Sequence, residues 1–223
     1  HCRSIFWRKV SYRTYKGEEV IEQKYKNKTF ILCATGPSLT KEVVETIRPY
    51  KDKFVIFGIN DSYKIIDFLD EHYACDNKWW VAWGPDFRQK CPDLSSWTQD
   101  KKSSEQFNLN WTAGKHEKAF SLDSNLIHYG SNSGYQALNI AFLMGGKKFI
   151  LVGYNMQKVG NKKHFFGDHP RPLNSNSPYA SFAKNFGTIQ PEIKQLVINC
   201  TPNSALTCFE KADLEETLEK YAS

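Results

Sequence analysis

Apolar residues in this chain fall into short continuous runs. Thr29–Ala34 (TFILCA), Phe54–Asn60 (FVIFGIN) and Lys148–Val152 (KFILV) each read as a strand covered on both faces, because a half-exposed strand would alternate with polar residues. His72–Cys75 and Leu196–Cys200 (LVINC) are shorter runs of the same kind. Helical spacing follows the first two runs, at Val43, Val44 and Ile47 and at Ile65, Ile66 and Leu69. Tyr135–Met144 is apolar almost all round, which predicts an internal helix, and it stops at Gly145-Gly146. Strands of this type alternating with helices predict an α/β, Rossmann-like single domain with a mainly parallel sheet. Asn125–His128, the internal helix and Lys148–Val152 form its clearest βαβ unit.

The pattern breaks from Lys78 to about Leu126, where five of the six tryptophans (79, 80, 83, 97 and 111) stand among scattered Pro and Ser. Residues 78–124 are therefore expected to form an irregular Trp-rich lid or insertion. Residues 154–187 read as loop with a short helix at Tyr179–Phe186, and Leu214–Tyr221 as an exposed helix. The expected organisation is a basic arm at 1–28 and the domain at 29–223.

With 223 residues and 40% hydrophobic content, the chain has enough apolar surface for one full core. Its longest apolar runs fall far short of the roughly 20 residues that span a bilayer. His1–Lys28 shows no charged segment leading into an apolar one, so a cytoplasmic location is expected. The six cysteines form no CxxC pair; those at 33, 75 and 200 lie in strand-like runs and read as small core residues. The net charge of +6 is uneven, since the first 28 residues hold eight Lys/Arg against three Glu. That excess fits either a solvated arm or a grip on a polyanion.

Ligands of open parallel sheets bind outside the carboxyl ends of the strands, so the polar residues after each run are the candidates. These are Thr35, Gly36 and Ser38; Asn60; Asp76; Asn132, Ser133 and Gly134 before the internal helix; and Asn155 and Gln157. Small residues at a helix start leave backbone N–H groups open to phosphate, although Ser38 and Ser133 also suit plain helix caps. Neither GxxxxGK[ST] nor GxGxxG occurs. The densest titratable cluster is His164-Phe-Phe-Gly-Asp168-His169-Pro-Arg171. A neutral imidazole can take an alcohol's proton, which makes His169 the first candidate base and His164 the second, with Asp168 as orienting partner and Arg171 as a phosphate contact. A metal held by His164, Asp168 and His169, or a solvated polar loop, are the competing readings. Trp79, Trp80 and Trp83 fit either stacking platforms for an acceptor or apolar packing.

Thr35-Gly-Pro-Ser-Leu, Gly58-Ile-Asn60, Asn132-Ser-Gly134, Gly145-Gly-Lys-Lys-Phe-Ile-Leu-Val-Gly153, HFFGDH and Asn199-Cys-Thr-Pro-Asn-Ser-Ala-Leu, in this order, resemble the bacterial oligosaccharide sialyltransferases that use CMP-sialic acid, and related phage-encoded glycosyltransferases. The resemblance covers about residues 29–210. It implies a metal-independent transferase with no cofactor beyond its nucleotide-sugar donor, and a glycan or a hydroxymethylated phage DNA base as acceptor. It puts Gly36 and Ser38 near the nucleotide, Asn60 and Asp76 near its sugar or base, Ser133 and Gly134 near base or phosphate, and a loop His as base. Where the sialyltransferases place a phosphate-binding Tyr, this chain has Gln157; Asp168 falls at the catalytic position, with His169 one step on. A second resemblance, to pterin pyrophosphokinases, implies an ATP- and magnesium-dependent transfer with Asp61, Asp76 and Asp168 as metal candidates. A non-enzymatic nucleotide- or DNA-binding module is the third reading.

Overall fold

The computed structural model describes residues 14–15, 18–168 and 177–222. In chain order the strands are β1 (Thr14–Tyr15), β2 (Glu18–Glu19), β3 (Thr29–Cys33), β4 (Val55–Ile59), β5 (Glu71–Tyr73), β6 (Ser95–Thr98), β7 (Asn110–Trp111), β8 (Ala113–Lys115), β9 (Leu126–His128), β10 (Lys148–Val152), β11 (Val197–Asn199) and β12 (Glu210–Lys211). The helices are α1 (Lys41–Ile47), α2 (Asn77–Lys90), α3 (Lys101–Phe107), α4 (Ser133–Leu143), α5 (Tyr179–Gly187), α6 (Pro191–Lys194) and α7 (Leu214–Ala222). Among the described residues no helix is long and apolar enough to cross a membrane.

Eight strands form one parallel sheet in the order β12-β11-β10-β3-β4-β5-β6-β7. The expected mainly parallel α/β architecture is thus present. Side chains of successive strand residues point to opposite faces, and both faces of the central strands are covered. Phe30, Leu32, Phe57, Phe149 and Leu151 pack in the layer that contains α4, whereas Ile31, Cys33, Ile56, Ile150 and Val152 pack in the layer with Val44, Ile47 and Leu218 of α1 and α7. This two-sided burial is why the runs are continuous. Cys33 and Cys200 are buried as expected, while Cys75 is only half-buried.

Three expectations are corrected. Much of the stretch 78–124 is regular: α2, β6, α3 and β7 extend the sheet beyond β5 with the same strand–helix alternation. Trp79, Trp80 and Phe87 turn to one side of α2 and form a core with Tyr63, Ala74 and Leu109. Pro85 sits inside α2, and Gly84 lets the Phe107 ring of α3 approach to where a Cβ would stand 2.6 Å from it. These two helix-breaking residues hide the helix from a reading based on propensity.

The second correction concerns the βαβ unit. β9 does not join the main sheet; it pairs in parallel with β8 as a separate ribbon. Asn139 of α4 fastens that region, its Oδ1 accepting from the backbone N–H of Ser121 (3.0 Å) and His128 (3.1 Å) while its Nδ2 donates to Ser121 O (3.0 Å). The third concerns the arm, most of whose first half lies outside the described residues. Ile21 is buried and donates its N–H to Ser124 O at 2.8 Å, and Lys24 reaches the buried Glu71 at 2.8 Å. The last residues of the presumed arm therefore belong to the fold.

Candidate functional site

Chain order runs outward from β3 to β7 on one side and returns to β10, β11 and β12 on the other. The topological switch point lies between β3 and β10, where the loops leaving adjacent strands diverge and a crevice opens. A cleft of about 220 Å³ occupies this position. It gathers Thr35 and Gly36 after β3, Asn60 after β4, Asp76 after β5, Asn132, Ser133 and Gly134 at the start of α4, Asn155 and Gln157 after β10, and His164.

The floor is two loops in backbone contact. Gly36 N–H donates to Gly153 O at 2.9 Å, and a Cβ on Gly36 would stand 2.3 Å from that same oxygen. Gly153 has φ +74, and a Cβ there would lie 2.3 Å from Ala34 O. Only glycine satisfies this approach. Asn155 is buried at 2% exposure and clamps the first loop, its Oδ1 accepting from Ser38 N–H (3.1 Å) and Ser38 Oγ–H (2.7 Å). Ser38 is consequently a brace for Asn155 that does not line the cleft, and Thr40 caps α1 instead. Gln157 is exposed at the rim and donates to Asn203 O.

The internal helix points its N-terminus into the cleft. Asn132 is its cap, accepting from Tyr135 N–H at 3.1 Å, which leaves the first-turn N–H groups of Ser133 and Gly134 without partners inside the helix. The Tyr154 hydroxyl donates to Gly134 O at 3.1 Å and fixes this turn against β10. Asn60 adopts a left-handed conformation, φ +49. Its carbonyl accepts from Nε2 of His72 at 2.8 Å.

His72 is fully buried against Trp79 and Phe87, and burial pulls its imidazole down from 6.5 to about 4. The ring stays neutral in the fold while the unfolded chain takes up a proton below pH 6.5. Stability is therefore full above that value and is lost as pH falls toward 4, by about 3 kcal/mol in total. Urea unfolding at pH 7 and pH 4 checks this. His72→Gln, which keeps a donor for Asn60 O but does not titrate, is expected to lose about 3 kcal/mol less than the parent over that interval.

The turn 164–167 carries the imidazole over the cleft. Phe165 N–H donates to Thr35 O at 3.0 Å, and Gly167 N–H to His164 O at 3.0 Å. His164 Nδ1 lies 3.1 Å from Thr35 Oγ1, and its ring stacks on Phe166 at 5.0 Å between centroids. Asp168 is exposed. His169 and Arg171 lie outside the described residues. Asp76 stands at the N-cap position of α2 but makes no capping bond; desolvation raises its carboxyl, an effect partly opposed by Lys78.

The expected acceptor platforms are not at this site. Trp79 is buried and donates its Nε1–H to Asp61 at 3.0 Å, Trp80 donates to Ala74 O at 2.9 Å, and Trp83 lies under the Lys64 ammonium at 3.2 Å. Asp61 is itself wholly buried and paired with Lys64 at 2.5 Å. Among the described residues no three His, Cys, Asp or Glu side chains group as a metal site. The cleft also has walls that sequence reasoning passed over, namely Lys163, Tyr179 and Phe182. Lys163 adjoins the HFFGDH motif, which is a signal of sorts; the α5 residues gave none.

No protein-family model and no curated protein matches the sequence. The fold is similar to that of a MAf glycosyltransferase from Magnetospirillum magneticum AMB-1, with a TM-score of 0.63 and 12% identity over 91% of this chain. The match spans 38% of the length of that protein. At such an identity the likeness establishes the architecture.

Proposed function

We propose that the cleft binds a nucleotide sugar and that the protein is a glycosyltransferase. One observation carries this reading. Two glycine-packed loops, an open helix N-terminus and an anchored imidazole converge on one crevice at the switch point. Backbone N–H groups at Ser133 and Gly134 suit a phosphate, with the helix dipole favouring its charge. Asn60, Thr35 and Gly36 suit the nucleoside. The fold likeness to a solved glycosyltransferase and the order of motifs shared with the sialyltransferases support the same class, and make CMP-linked sugars the first donors to try.

In the proposed reaction the acceptor oxygen attacks the anomeric carbon, and the bond from that carbon to the nucleotide phosphate breaks, its electron pair leaving with the phosphate. The acceptor's proton passes to His164. No metal enters this scheme.

The test is a thermal-shift panel of CMP, UDP, GDP, ATP and nucleotide sugars, each with and without EDTA. Binding to the folded state at 100 times Kd adds about 2.7 kcal/mol of stability. A rise with one nucleotide class that survives EDTA is expected. A panel with no rise sinks the proposal, and a response to ATP that requires magnesium transfers the case to the pyrophosphokinase class.

A further inference from the structure

A second cleft, of about 320 Å³, adjoins the first and is lined by Cys75, Asp76, Gln99, His116, Tyr129 and Gln136 together with the Ser131–Ser133 segment. The two clefts share Asp76 and Ser131, Asn132 and Ser133. A molecule in the second cleft therefore borders one in the first across a single wall.

The β8–β9 ribbon presents the aromatic side of this cleft. Lys115 pairs with His128 at its end, and Tyr129 N–H donates to Lys115 O at 3.0 Å, so the next residues, His116 and Tyr129, emerge side by side. Their ring centroids are 4.5 Å apart. Gly114 makes room for this arrangement, since a Cβ there would stand 2.4 Å from the Tyr129 ring. Asp76 and the side chains of Gln99 and Gln136 complete the lining, the Gln99 amide lying against Gly114 beside the Tyr129 ring.

Aromatic faces beside a carboxylate and amides match a sugar ring, whose C–H face packs on aromatic carbon while its hydroxyls donate and accept hydrogen bonds. We propose that this second cleft seats the acceptor, a terminal sugar of a glycan, with Tyr129 and His116 as its platform and Asp76 as the carboxylate that orients its hydroxyls at the junction with the donor cleft. The inference rests on the nucleotide-sugar reading of the first cleft.

Its test is a glycan array probed with the full chain in the presence of whichever nucleotide the thermal panel selects, with duplex DNA carrying hydroxymethylated bases included as a competitor. The parent is expected to retain a subset of glycans. Tyr129→Ala and His116→Ala are each expected to lower retention about fivefold or more, and by a larger factor than they lower nucleotide affinity. A smaller loss in both variants, no glycan retained by the parent, or preference for the DNA overturns the assignment. His116 is exposed, so His116→Ala supplies a folded comparator should Tyr129→Ala fail to fold. Failure of the donor reading is distinguishable, because it appears as absence of nucleotide binding in the parent.

Discussion

Alanine in place of His164 is expected to lower turnover of the selected donor by about 10²- to 10⁴-fold, the usual contribution of a positioned general base. The expectation follows from how the ring is held. Thr35 engages one nitrogen at 3.1 Å, Phe166 stacks on the face, and the Phe165 backbone is bonded to the same Thr35. The imidazole is thus fixed in a single orientation over the cleft. Steady-state kinetics decide the matter. A variant with near-parental kcat removes His164 from the role and leaves the undescribed His169 as the remaining imidazole of the motif. Nucleotide affinity, read by thermal shift, separates a lost base from a collapsed site.

The largest expected effect on stability lies in the tryptophan core. Trp80→Ala is expected to cost about 3–5 kcal/mol, a large share of the 5–15 kcal/mol that holds a typical domain together. The side chain is fully buried, stacks near Phe107 at 5.9 Å, and shares its Nε1–H between Ala74 O (2.9 Å) and Thr98 Oγ1 (3.1 Å). Removing it opens a cavity and strips a donor from two buried acceptors. Trp80→Phe should recover most of the packing and lose about 1–2 kcal/mol. Denaturant unfolding checks both. Were Trp80 a stacking platform, the alanine variant would instead keep its unfolding midpoint and lose ligand affinity.

The switch-point site was legible because each of its loops follows a continuous apolar run, and the rule about carboxyl ends of parallel strands then collects Thr35, Asn60, Asp76 and Asn155 without knowledge of contacts. The direction each side chain takes was not legible. Ser38 reads as a phosphate contact until Asn155, more than a hundred positions away in sequence, is seen to accept from its hydroxyl. The tryptophans read either as stacking platforms or as apolar packing until Asp61 supplies a buried partner for Trp79. Of the second cleft, Asp76, Asn132 and Ser133 were among the candidates and Asn125–His128 read as a strand, but its aromatic side left no trace, since β8 is three residues long, too short for alternation to show. What decides these positions is tertiary contact, which periodicity does not carry.

The central pairing of β3 with β10 joins Thr29 to Lys148, positions roughly 120 residues apart. Contacts of such separation carry a loop-closure cost that local structure cannot offset and are slow to form. During synthesis the stretch from β3 to β7 emerges first and can assemble its own parallel strands, but the crevice does not yet exist, because one of its two banks has not been made. Ligand-binding competence should accordingly arise late and in one step, when β10 inserts beside β3 and brings Gly153 onto Gly36. Until then the open edge of β3 is an unpaired, mainly apolar strand, a stage at which a nascent chain is most in need of a chaperone.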